Sequence, residues 1–552
     1  MPTTSPPPAQ PSPPPGKQAA TALAAPPPAG PAGYRQPPGA PPVAPLHGPW
    51  ADPSLFGRRW PGPGRPATVA TLTAVLLAGI VAALSIPLDR PGIGWSVTAV
   101  AGVVALIVAR AVPGKLSPTA PRPLVAWQPR KLGSDRFGWS VATLALLGVG
   151  TFRAAGWLFL LCLATSLLTG ALAVAGGRST RGMLLAALMA PFAGLRALPW
   201  LTRGATTARQ GGGNGARIAA TVAVSAVLLL VFGSLFASAD AAFADMIGAV
   251  VPDVDAGTVT RWIFVFTVAV CVLGGAAYLR AAPPDLSGPD GSGRRRVTRL
   301  EWAVPLSLLV LLFGLFVGVQ LTVLFGGSQH VLDTDGLTYA EYARGGFWQL
   351  LIVTGLTLLV LAGAARWAPR GTRTDRVLIR AVLGALSVLT LVIVASALHR
   401  MDLYADTYGL TRLRVLVSVC EMWLGVVFLL VLGAGLRLRA SWLPRTVVAV
   451  GVLALLGLAA ANPDHLIADR NVSRYEQSGS IDTAYLSQLS ADAVPALDRL
   501  RGEQRDCALE PVYKDLDENV DDRRGTNLAR ERAREVLAKN PPVYHSTCAT
   551  RP

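Results

Sequence analysis

Residues 338–349 read Thr-Tyr-Ala-Glu-Tyr-Ala-Arg-Gly-Gly-Phe-Trp-Gln and separate two long apolar runs, at 301–325 and 346–367. Each run has the roughly 20 residues that an α-helix needs to cross the ~30 Å hydrocarbon core of a bilayer. The same alternation of apolar run and short polar connection repeats along most of the chain. It predicts an all-α fold, a polytopic bundle of transmembrane helices.

The composition of the chain is typical of a membrane protein. Of its 552 residues, 51% are hydrophobic and 15% are charged, whereas soluble chains carry about 25% charged residues. About 11 runs are long enough to cross a membrane. They lie near 67–86, 93–112, 138–153, 155–175, 217–238, 259–280, 301–325, 346–367, 378–398, 413–436 and 444–461.

The distribution of positive charge predicts the orientation of the helices. The net charge is +17, and Arg residues are concentrated in the alternate connections 113–137, 281–300, 366–377 and 437–445. Cytoplasmic connections carry the excess of Lys and Arg in membrane proteins. The N-terminus is therefore predicted to be cytoplasmic and the C-terminus extracytoplasmic, in a multi-pass protein of the cell (plasma) membrane.

The same distribution argues against nucleic acid as a partner. The positive charge is divided among separate short connections and forms no single patch. The predicted partners are the lipid bilayer and an unidentified envelope protein, and no cofactor is predicted.

Changes of composition divide the chain into five segments. They are a disordered Pro/Ala/Gly-rich cytoplasmic tail at 1–66, N-terminal transmembrane helices at 67–182, a cytoplasmic interfacial or re-entrant segment with a basic connection at 183–216, the core transmembrane bundle at 217–461, and an extracytoplasmic helical domain at 462–552. The tail has Pro-rich runs that cannot build a core. Within the third segment, Met183–Leu201 is apolar enough to cross, but crossing would move every later Arg-rich connection to the opposite side. We therefore expect it to lie at the cytoplasmic face.

The five cysteines fall into two groups. Cys162, Cys271 and Cys420 lie inside apolar runs and are expected to be small buried side chains. Cys507 and Cys548 lie in the polar C-terminal segment. Because that segment is predicted to face an oxidising compartment, we expect these two to form a disulfide.

Two polar clusters are predicted to meet on the extracytoplasmic side. The first contains Tyr339, Glu341, Tyr342 and Arg344, and the second contains His399, Arg400, Asp402, Tyr404, Tyr408, Arg412 and Arg414. Glu421 lies a further two turns into its apolar run, about 12 Å along a helix. A charge at that depth is costly unless it is paired. We therefore expect Glu341 and Glu421 to compensate Arg344, Arg400, Arg412 or Arg414, as a structural latch, a ligand or ion site, or a catalytic site.

The sequence lacks the common catalytic and metal-binding motifs. It contains no Gly-rich phosphate loop, no His-Glu-x-x-His, no Gly-x-Ser-x-Gly and no Cys-x-x-Cys. The stretch 515–526 has the alternating oxygen ligands of a calcium loop. However, Val520 stands where that loop needs Gly, and Thr526 where it needs a bidentate Glu. No metal site and no catalytic residue is predicted.

Three short stretches carry a resemblance to a known family: Leu235–Asp240, Thr338–Phe347 and Tyr408–Arg412. The chain resembles, over about 215–490, the bacterial polytopic membrane proteins catalogued as domain of unknown function four-one-seven-three, with four-one-five-three as a sibling. The likeness includes Asn462-Pro463 and the stretch Asp492–Leu497. It implies a helical membrane protein and no particular activity.

Three functions remain open. The sequence favours a non-enzymatic envelope scaffold or sensor over an enzyme. The alternative is a transporter or channel-like protein that uses Glu421 and the outer polar clusters. The third is a lipid-facing membrane enzyme with His399, Asp402 and Glu341 as acid–base groups, which no motif supports.

Overall fold

The structure of the chain is a computed structural model. It describes residues 60–111 without 61, 134–211 without 178 and 179, separate positions between 221 and 246, 256–283, 298–325, 347–437 without 370, 440–544, and Cys548. The regular structure within these ranges is helical, and they contain no β-strand. The tail at 1–59 and the polar stretch 338–346 lie outside the described residues.

The helices described before the C-terminal domain follow the predicted apolar runs. They are α1 (Val69–Ser85), α2 (Ile93–Ala111), α3 (Ser134–Phe152), α4 (Gly156–Ala175), α5 (Thr180–Gly211), α6 (Ala256–Ala281), α7 (Arg299–Phe325), α8 (Phe347–Trp367), α9 (Arg373–Tyr408), α10 (Arg412–Arg437) and α11 (Leu443–Ala461). Eight of them, α4 to α11, are long and apolar enough to cross a membrane by length and composition. The helical fold is thus confirmed. The number 11 stays a prediction, because α1 and α2 are shorter, α3 is not among the eight, and 217–238 lies mostly outside the described residues.

Helix α9 is longer than the apolar run 378–398 that predicted it. At its start, the Thr372 hydroxyl accepts from the Asp375 N–H at 3.1 Å, and the Asp375 carboxylate accepts from the Thr372 N–H at 3.0 Å. This capping box satisfies two backbone donors that a helix start leaves unpaired. The helix ends before Gly409, whose φ of 82° suits glycine. Its 36 residues extend over about 54 Å, so the polar residues after 398 project beyond the apolar run.

One end of the bundle, called the N-side, is defined by the start of α1. Just before α1, Trp60 donates from Nε1 to the carbonyl oxygen that follows α6, at 3.0 Å. Asp135 at the start of α3 pairs with Arg445 at the start of α11, at 2.5 Å. Arg299 at the start of α7 pairs with Asp375 at the start of α9. The N-side thus gathers helix ends from the first and last parts of the chain.

The opposite end, called the C-side, carries the connections α1–α2, α3–α4 and α9–α10. A Cβ atom on Gly150, near the end of α3, would lie 3.2 Å from Pro91 in the α1–α2 connection. Arg153 in the α3–α4 connection donates to two carbonyl oxygens in the last turn of α11, at 2.7 and 3.0 Å. The C-terminal domain follows α11 directly and lies on this side.

Helix α5, which falls in the predicted interfacial or re-entrant segment, packs on the N-side from its start to about Gly204. It follows α4, whose carboxyl end lies there because Gly176 is beside Arg136 at the start of α3. Further along the helix, Trp200 donates from Nε1 to the carbonyl oxygen of Arg65, just before α1, at 2.9 Å. Its buried side chains share one hydrophobic cluster with the carboxyl ends of α4 and α6. Its length and composition also fit a crossing helix, so the position of α5 at one face stays a prediction.

The packed chain begins earlier than the predicted end of the tail at residue 66. Trp60 is fully buried, and its ring packs edge-on against Tyr278 with centroids 5.5 Å apart. The Arg196 guanidinium lies 4.8 Å from the same ring. Aromatic and cation–π contacts of this kind stabilise a buried indole. The prediction of disorder is therefore wrong for Trp60 and for 62–66, because one aromatic anchor outweighs the Pro-rich composition around it.

The C-terminal domain is helical, as the sequence predicted. It contains α12 (Pro463–Ser478), α13 (Thr483–Leu486), a 3₁₀ turn (Ala491–Ala493), α14 (Val494–Leu497), α15 (Gly502–Glu518) and α16 (Leu528–Lys539). Cys507 in α15 forms a disulfide with Cys548, with Cα atoms 5.3 Å apart, which is the pairing expected from the sequence. The disulfide joins the end of the chain to the body of the domain.

The hydrophobic core of the C-terminal domain is continuous with the helix ends beneath it. One cluster of buried side chains contains Leu146 of α3, Leu158 of α4 and Val415 of α10 together with Leu497 and Leu509 of the domain. Burial of apolar surface stabilises such a contact by about 25 cal/mol per Å². The domain is therefore docked on the C-side through a shared core and not only joined through the chain.

The position of α5 leads to a labelling prediction. Cysteines introduced at Arg181 and at Thr207, both exposed, should react with a membrane-impermeant maleimide from the same side of the membrane. Both positions flank the part of α5 that packs on the N-side. The measurement uses a chain in which Cys162, Cys271 and Cys420 are replaced by Ser.

A cysteine at Val520, an exposed residue of the C-terminal domain, is the control and should react only from the opposite side. If the Arg181 and Thr207 positions react from opposite sides, α5 crosses the membrane.

Candidate functional site on the C-side

The two predicted polar clusters differ in what the structure describes. Tyr339, Glu341, Tyr342 and Arg344 lie outside the described residues. The second cluster lies at the end of α9 and the start of α10. Its members His399, Asp402 and Tyr408 are exposed, whereas Arg400, Tyr404, Arg412 and Arg414 are half-buried.

Part of the second cluster is held by contacts among its own members. The rings of Tyr404 and Tyr408 lie 4.8 Å apart. The guanidinium of Arg414 lies 4.3 Å from the Tyr404 ring and donates to the carbonyl oxygen of Gly409. These contacts fix the turn between α9 and α10.

Arg412 forms the central contact of the C-side. Its Nε donates to Asp464 Oδ1 at 3.0 Å, and one terminal nitrogen donates to Asp464 Oδ2 at 2.6 Å. This two-point geometry matches the guanidinium to the carboxylate and is the stronger form of such a pair. The backbone N–H of Arg412 donates to the hydroxyl of Tyr485 at 2.7 Å. The start of α10 is thus joined to α12 and α13 of the C-terminal domain.

Asp464 is fully buried and accepts two further hydrogen bonds. The indole Nε1 of Trp157, in α4, donates to Oδ1 at 3.0 Å, and the backbone N–H of Ser490 donates to Oδ2 at 2.9 Å. Burial alone would raise the pKa of this carboxyl, but the donors led by Arg412 outweigh it, and the pKa is lowered. Asp464 is therefore a carboxylate held charged inside the protein.

Asp492 is a second buried carboxyl, close to the first. Its Oδ2 accepts from the backbone N–H groups of Ala154 and Ala155, at 2.7 and 3.0 Å, and from the Ser490 hydroxyl at 3.2 Å. Arg153 lies 3.9 Å from Oδ1. Here burial outweighs the donors, and the pKa of Asp492 is raised. The two carboxyls therefore have opposite shifts because only Asp464 has a two-point Arg partner.

Arg153 and Asn462 complete this group, which we call the Asp464–Asp492 network. Arg153 donates to the last carbonyl oxygens of α11, where a helix end favours positive charge. Asn462 stands between α11 and α12 in the left-handed region, with φ of 55°. In the amide orientation that satisfies both ends, it donates to Asp492 and accepts from Arg153, each at 3.1 Å. The network thus joins the ends of α3, α4, α10 and α11 to the domain.

Asn527 makes a second connection, which we call the Asn527 clamp. Its Nδ2 donates to the carbonyl oxygens of Gly150 and Arg153, at 2.8 and 2.9 Å, while its Oδ1 accepts from the first N–H groups of α16. One buried amide thereby caps the end of α3 and the start of α16 together. Nearby, Arg530 pairs with Asp521 at 2.9 Å and donates to the carbonyl oxygen of Pro91 at 2.9 Å. Asp521 is thus a partner of Arg residues.

Glu421 does not make the predicted contact with the described Arg residues of the cluster. It is 1% exposed, and both of its carboxylate oxygens are without a hydrogen-bond partner among the described residues. Arg412 is occupied by Asp464, and Arg414 by Gly409 and Tyr404. The predicted pairing of Glu421 with these two Arg residues is therefore wrong. Asp464, which the sequence analysis did not single out, is the better partner because it lies at the same level as the start of α10.

The arrangement on the C-side is suited to holding helices together. The buried carboxyls and guanidinium groups of the Asp464–Asp492 network are saturated by fixed donors and acceptors. In the described ranges there is no group of three His, Cys, Asp or Glu side chains placed to hold a metal ion. The family resemblance could have pointed to two members of the network, because Asn462 and Asp492 belong to the stretches that carry it. No local sequence pattern, however, indicates which residues they contact.

The comparison with protein families identifies the chain. The family described as Domain of unknown function (DUF4153) matches residues 141–500, more than half of the chain. The chain belongs to this family. It is the family named as a sibling in the sequence analysis, and the match begins earlier than the predicted 215. No curated protein and no solved structure gives a match.

Of the two sets of contacts that hold the C-terminal domain, the family match includes one and ends before the residue that makes the other. The matched residues include Arg153, Arg412, Asp464 and Asp492 and thus the whole Asp464–Asp492 network. They end before Asn527 and the Cys507–Cys548 disulfide. The network is therefore part of the family domain, whereas the Asn527 clamp lies beyond it.

Disrupting the Arg412–Asp464 pair should destabilise the protein. Asp464→Leu leaves the Arg412 guanidinium half-buried without its carboxylate, and loss of one partner of a buried pair costs about 3–5 kcal/mol. Arg412→Met should cost a similar amount. The double variant should recover part of the combined loss, because no charge is then left unpaired. Thermal unfolding in detergent measures all three.

The Arg499–Asp469 pair provides the matched control. Its side chains are 42% and 40% exposed, and an exposed pair contributes about 0–1 kcal/mol. Asp469→Asn should therefore change the melting temperature little. Strict additivity of the two Arg412–Asp464 single variants would show that the pair is not coupled.

The opposite pKa shifts predict opposite effects of pH on stability. The pKa of Asp464 is lowered in the folded state, so its contribution is present above the unfolded value of about 3.9 and is lost as the pH falls through the folded value. Asp464→Asn should flatten the loss of stability on the acid side. The pKa of Asp492 is raised, so its contribution is present below the unfolded value and is lost as the pH rises through the folded one. Asp492→Asn should flatten that second decline, and unchanged melting profiles would contradict both assignments.

Proposed function

We propose that the protein is a non-enzymatic membrane scaffold that holds its C-terminal helical domain in a fixed position on the extracytoplasmic face of the cell membrane. The observation that carries the proposal is the Asp464–Asp492 network. Its buried charged groups join the domain to four helix ends and bond to one another. A ligand site would instead contain polar groups without a partner in the protein. A fixed domain of this kind would present a constant surface to an envelope partner.

The shared hydrophobic core supports the same proposal. A sensor that moves its domain relative to the membrane would have to expose the cluster containing Leu158, Val415 and Leu497. It would also have to break the two-point contact of Asp464 with Arg412 and its hydrogen bond with Trp157. Both terms favour one fixed position, which suits a scaffold better than a moving sensor.

The orientation in the membrane is part of this proposal. The N-side carries the Arg-rich connections of the sequence, and such connections are typical of the cytoplasmic face. The C-side would then be extracytoplasmic, in agreement with a disulfide between Cys507 and Cys548 in an oxidising compartment.

A transporter is the second candidate function. Two buried polar side chains, Glu421 and Gln320, favour it. Both lie on candidate membrane-spanning helices, and neither has a hydrogen-bond partner among the described residues. A scaffold gives no reason to retain them.

Locking the domain in place separates a scaffold from a sensor. The N–H of Ile93 donates to the carbonyl oxygen of Thr526 at 3.0 Å, which brings the two residues close enough for a cross-link. The double variant Ile93→Cys/Thr526→Cys, oxidised, should still complement the growth defect of a deletion strain under membrane-disrupting detergent. A sensor that needs domain movement would lose complementation when locked and regain it under a reductant.

Undocking variants supply the opposite test. Asn527→Ala and Asp492→Ala should weaken complementation in proportion to their loss of domain docking, measured by protease sensitivity of the C-terminal domain. The matched control is Ser478→Ala, which removes only an exposed hydroxyl that donates to Arg474 and accepts from the N–H of Ser480. If undocked protein complements fully, the scaffold proposal fails.

A further inference from the structure

Glu421 is a buried acidic residue that the docking of the domain does not use. It lies on α10 nine residues after Arg412, about 14 Å along the helix. Its side chain is 1% exposed. On the same face of α10, Val417, Leu424 and Phe428 are buried apolar residues. The carboxyl group is therefore surrounded by apolar packing on its own helix.

Gln320 on α7 is the second buried polar side chain without a partner. It is 8% exposed, and neither its amide nitrogen nor its amide oxygen has a hydrogen-bond partner among the described residues. Val317, one turn earlier, belongs to the same hydrophobic cluster as Ile393 of α9 and Phe428 of α10. Gln320 on α7 and Glu421 on α10 thus lie on helices that contribute to the same hydrophobic cluster.

Two contacts show that the two residues lie at nearly the same level. Arg299 pairs with Asp375, so α7 and α9 start together and run parallel. Gln320, 21 residues after Arg299, is then level with about residue 396 of α9. In the antiparallel pair α9–α10, a Cβ atom on Gly425 would lie 3.4 Å from Val394, which sets Glu421 level with about residue 398. The two levels differ by about 3 Å of helix rise.

Among the described residues, the charged groups on the neighbouring elements do not neutralise Glu421. On α9 the nearest in level are His399, which is exposed, and Arg400, which is half-buried and has a contact of its own. The only basic residues of α8 and α11 lie at the N-side, namely Arg366 and Arg445. On α12, Asp464 is occupied by Arg412, and His465 follows it outside the membrane helices.

An ionised carboxylate without a partner in apolar surroundings is strongly unfavourable. The cost disappears when the carboxylate takes up a proton or holds a small cation, and an amide oxygen at the same level can accept from the acid proton or ligate that cation. We propose that Glu421 and Gln320 form a buried site for a single positive charge, supplied either by a proton or by a small monovalent cation. The site deepens the second candidate function, transport, and names its ligand class.

The binding step is balanced without a further reactant. When the ligand is a proton, hydronium gives it to the carboxylate oxygen, and one water molecule and one neutral carboxylic acid result. When the ligand is a monovalent cation, it exchanges its water for the carboxylate and the amide oxygen. In both cases the site changes from one negative charge to neutral.

Dicyclohexylcarbodiimide, an apolar reagent that adds to protonated carboxylic acids, is the probe. The full-length protein is treated in native membranes over a range of pH, and peptide mass mapping locates the adduct. We expect modification at Glu421, with a rate that falls by about tenfold for each pH unit once the acid is mostly ionised. Asp464 is the matched control, because it is equally buried but held ionised by Arg412, and it should stay unmodified.

Competition by salts distinguishes the two ligands. Protection of Glu421 by Na⁺ at constant pH, lost in Gln320→Leu, supports a cation site. A rate that depends on pH and not on Na⁺ or K⁺ supports a proton site. Modification of Glu421 no faster than that of Asp464, or a rate independent of both pH and salt, overturns the proposal. Flux of Na⁺ or H⁺ in proteoliposomes tests transport separately, so that a labelled but non-transporting protein retains the site and loses only the transport function.

Discussion

The buried carboxylate of Asp464 is the point on which the C-side of the molecule depends. It accepts from the guanidinium of Arg412 on α10, from the indole of Trp157 on α4 and from the backbone after α13. An ionised group inside a protein is tolerated only when its lone pairs are satisfied in this way. Because the donors come from three parts of the chain, the requirement to satisfy one carboxylate aligns two membrane helices and a separate domain. The shared apolar core then gains its full burial only in that alignment.

Asp464 and Glu421 are both buried acidic residues, but their surroundings differ. Asp464 lies on α12 beside the start of α10, and Glu421 lies on α10 itself. The first is saturated with donors, and its cost of burial is offset by a two-point guanidinium contact. The second has no hydrogen-bond donor among the described residues, so its surroundings favour protonation or the binding of a cation. The proposed scaffold function rests on the first situation and the proposed site for a positive charge on the second. The same chain can carry both, because the network lies at the helix ends and Glu421 lies about 14 Å further along α10.

The sequence predicts the helices better than it predicts their contacts. Apolar length alone locates α6 to α11, since crossing a bilayer demands a run of fixed size, and the cysteine pair follows from the compartment. Trp60 was placed in a disordered tail because composition does not reveal an anchor that packs against Tyr278, more than 200 residues later in the sequence. Arg412 was recognised as unusual, but its partner Asp464 could not be, because pairing of two residues across a connection depends on tertiary packing. Tyr339, Glu341, Tyr342 and Arg344 stay a prediction.

The Arg residues of the C-side are exceptions to the charge distribution that predicts the topology, and the structure gives their physical reason. Arg153 caps the carbonyl oxygens at the end of α11 beside Asp492, Arg412 is paired with Asp464, and Arg530 is paired with Asp521. Each positive charge is thereby matched by a carboxylate of the C-terminal domain. What distinguishes the N-side is the excess of Arg over acidic residues in its connections, which is clearest at 437–445, where three Arg residues stand without an Asp or Glu. The C-terminal domain thus accounts for these three positive charges, because it supplies the carboxylates that compensate them.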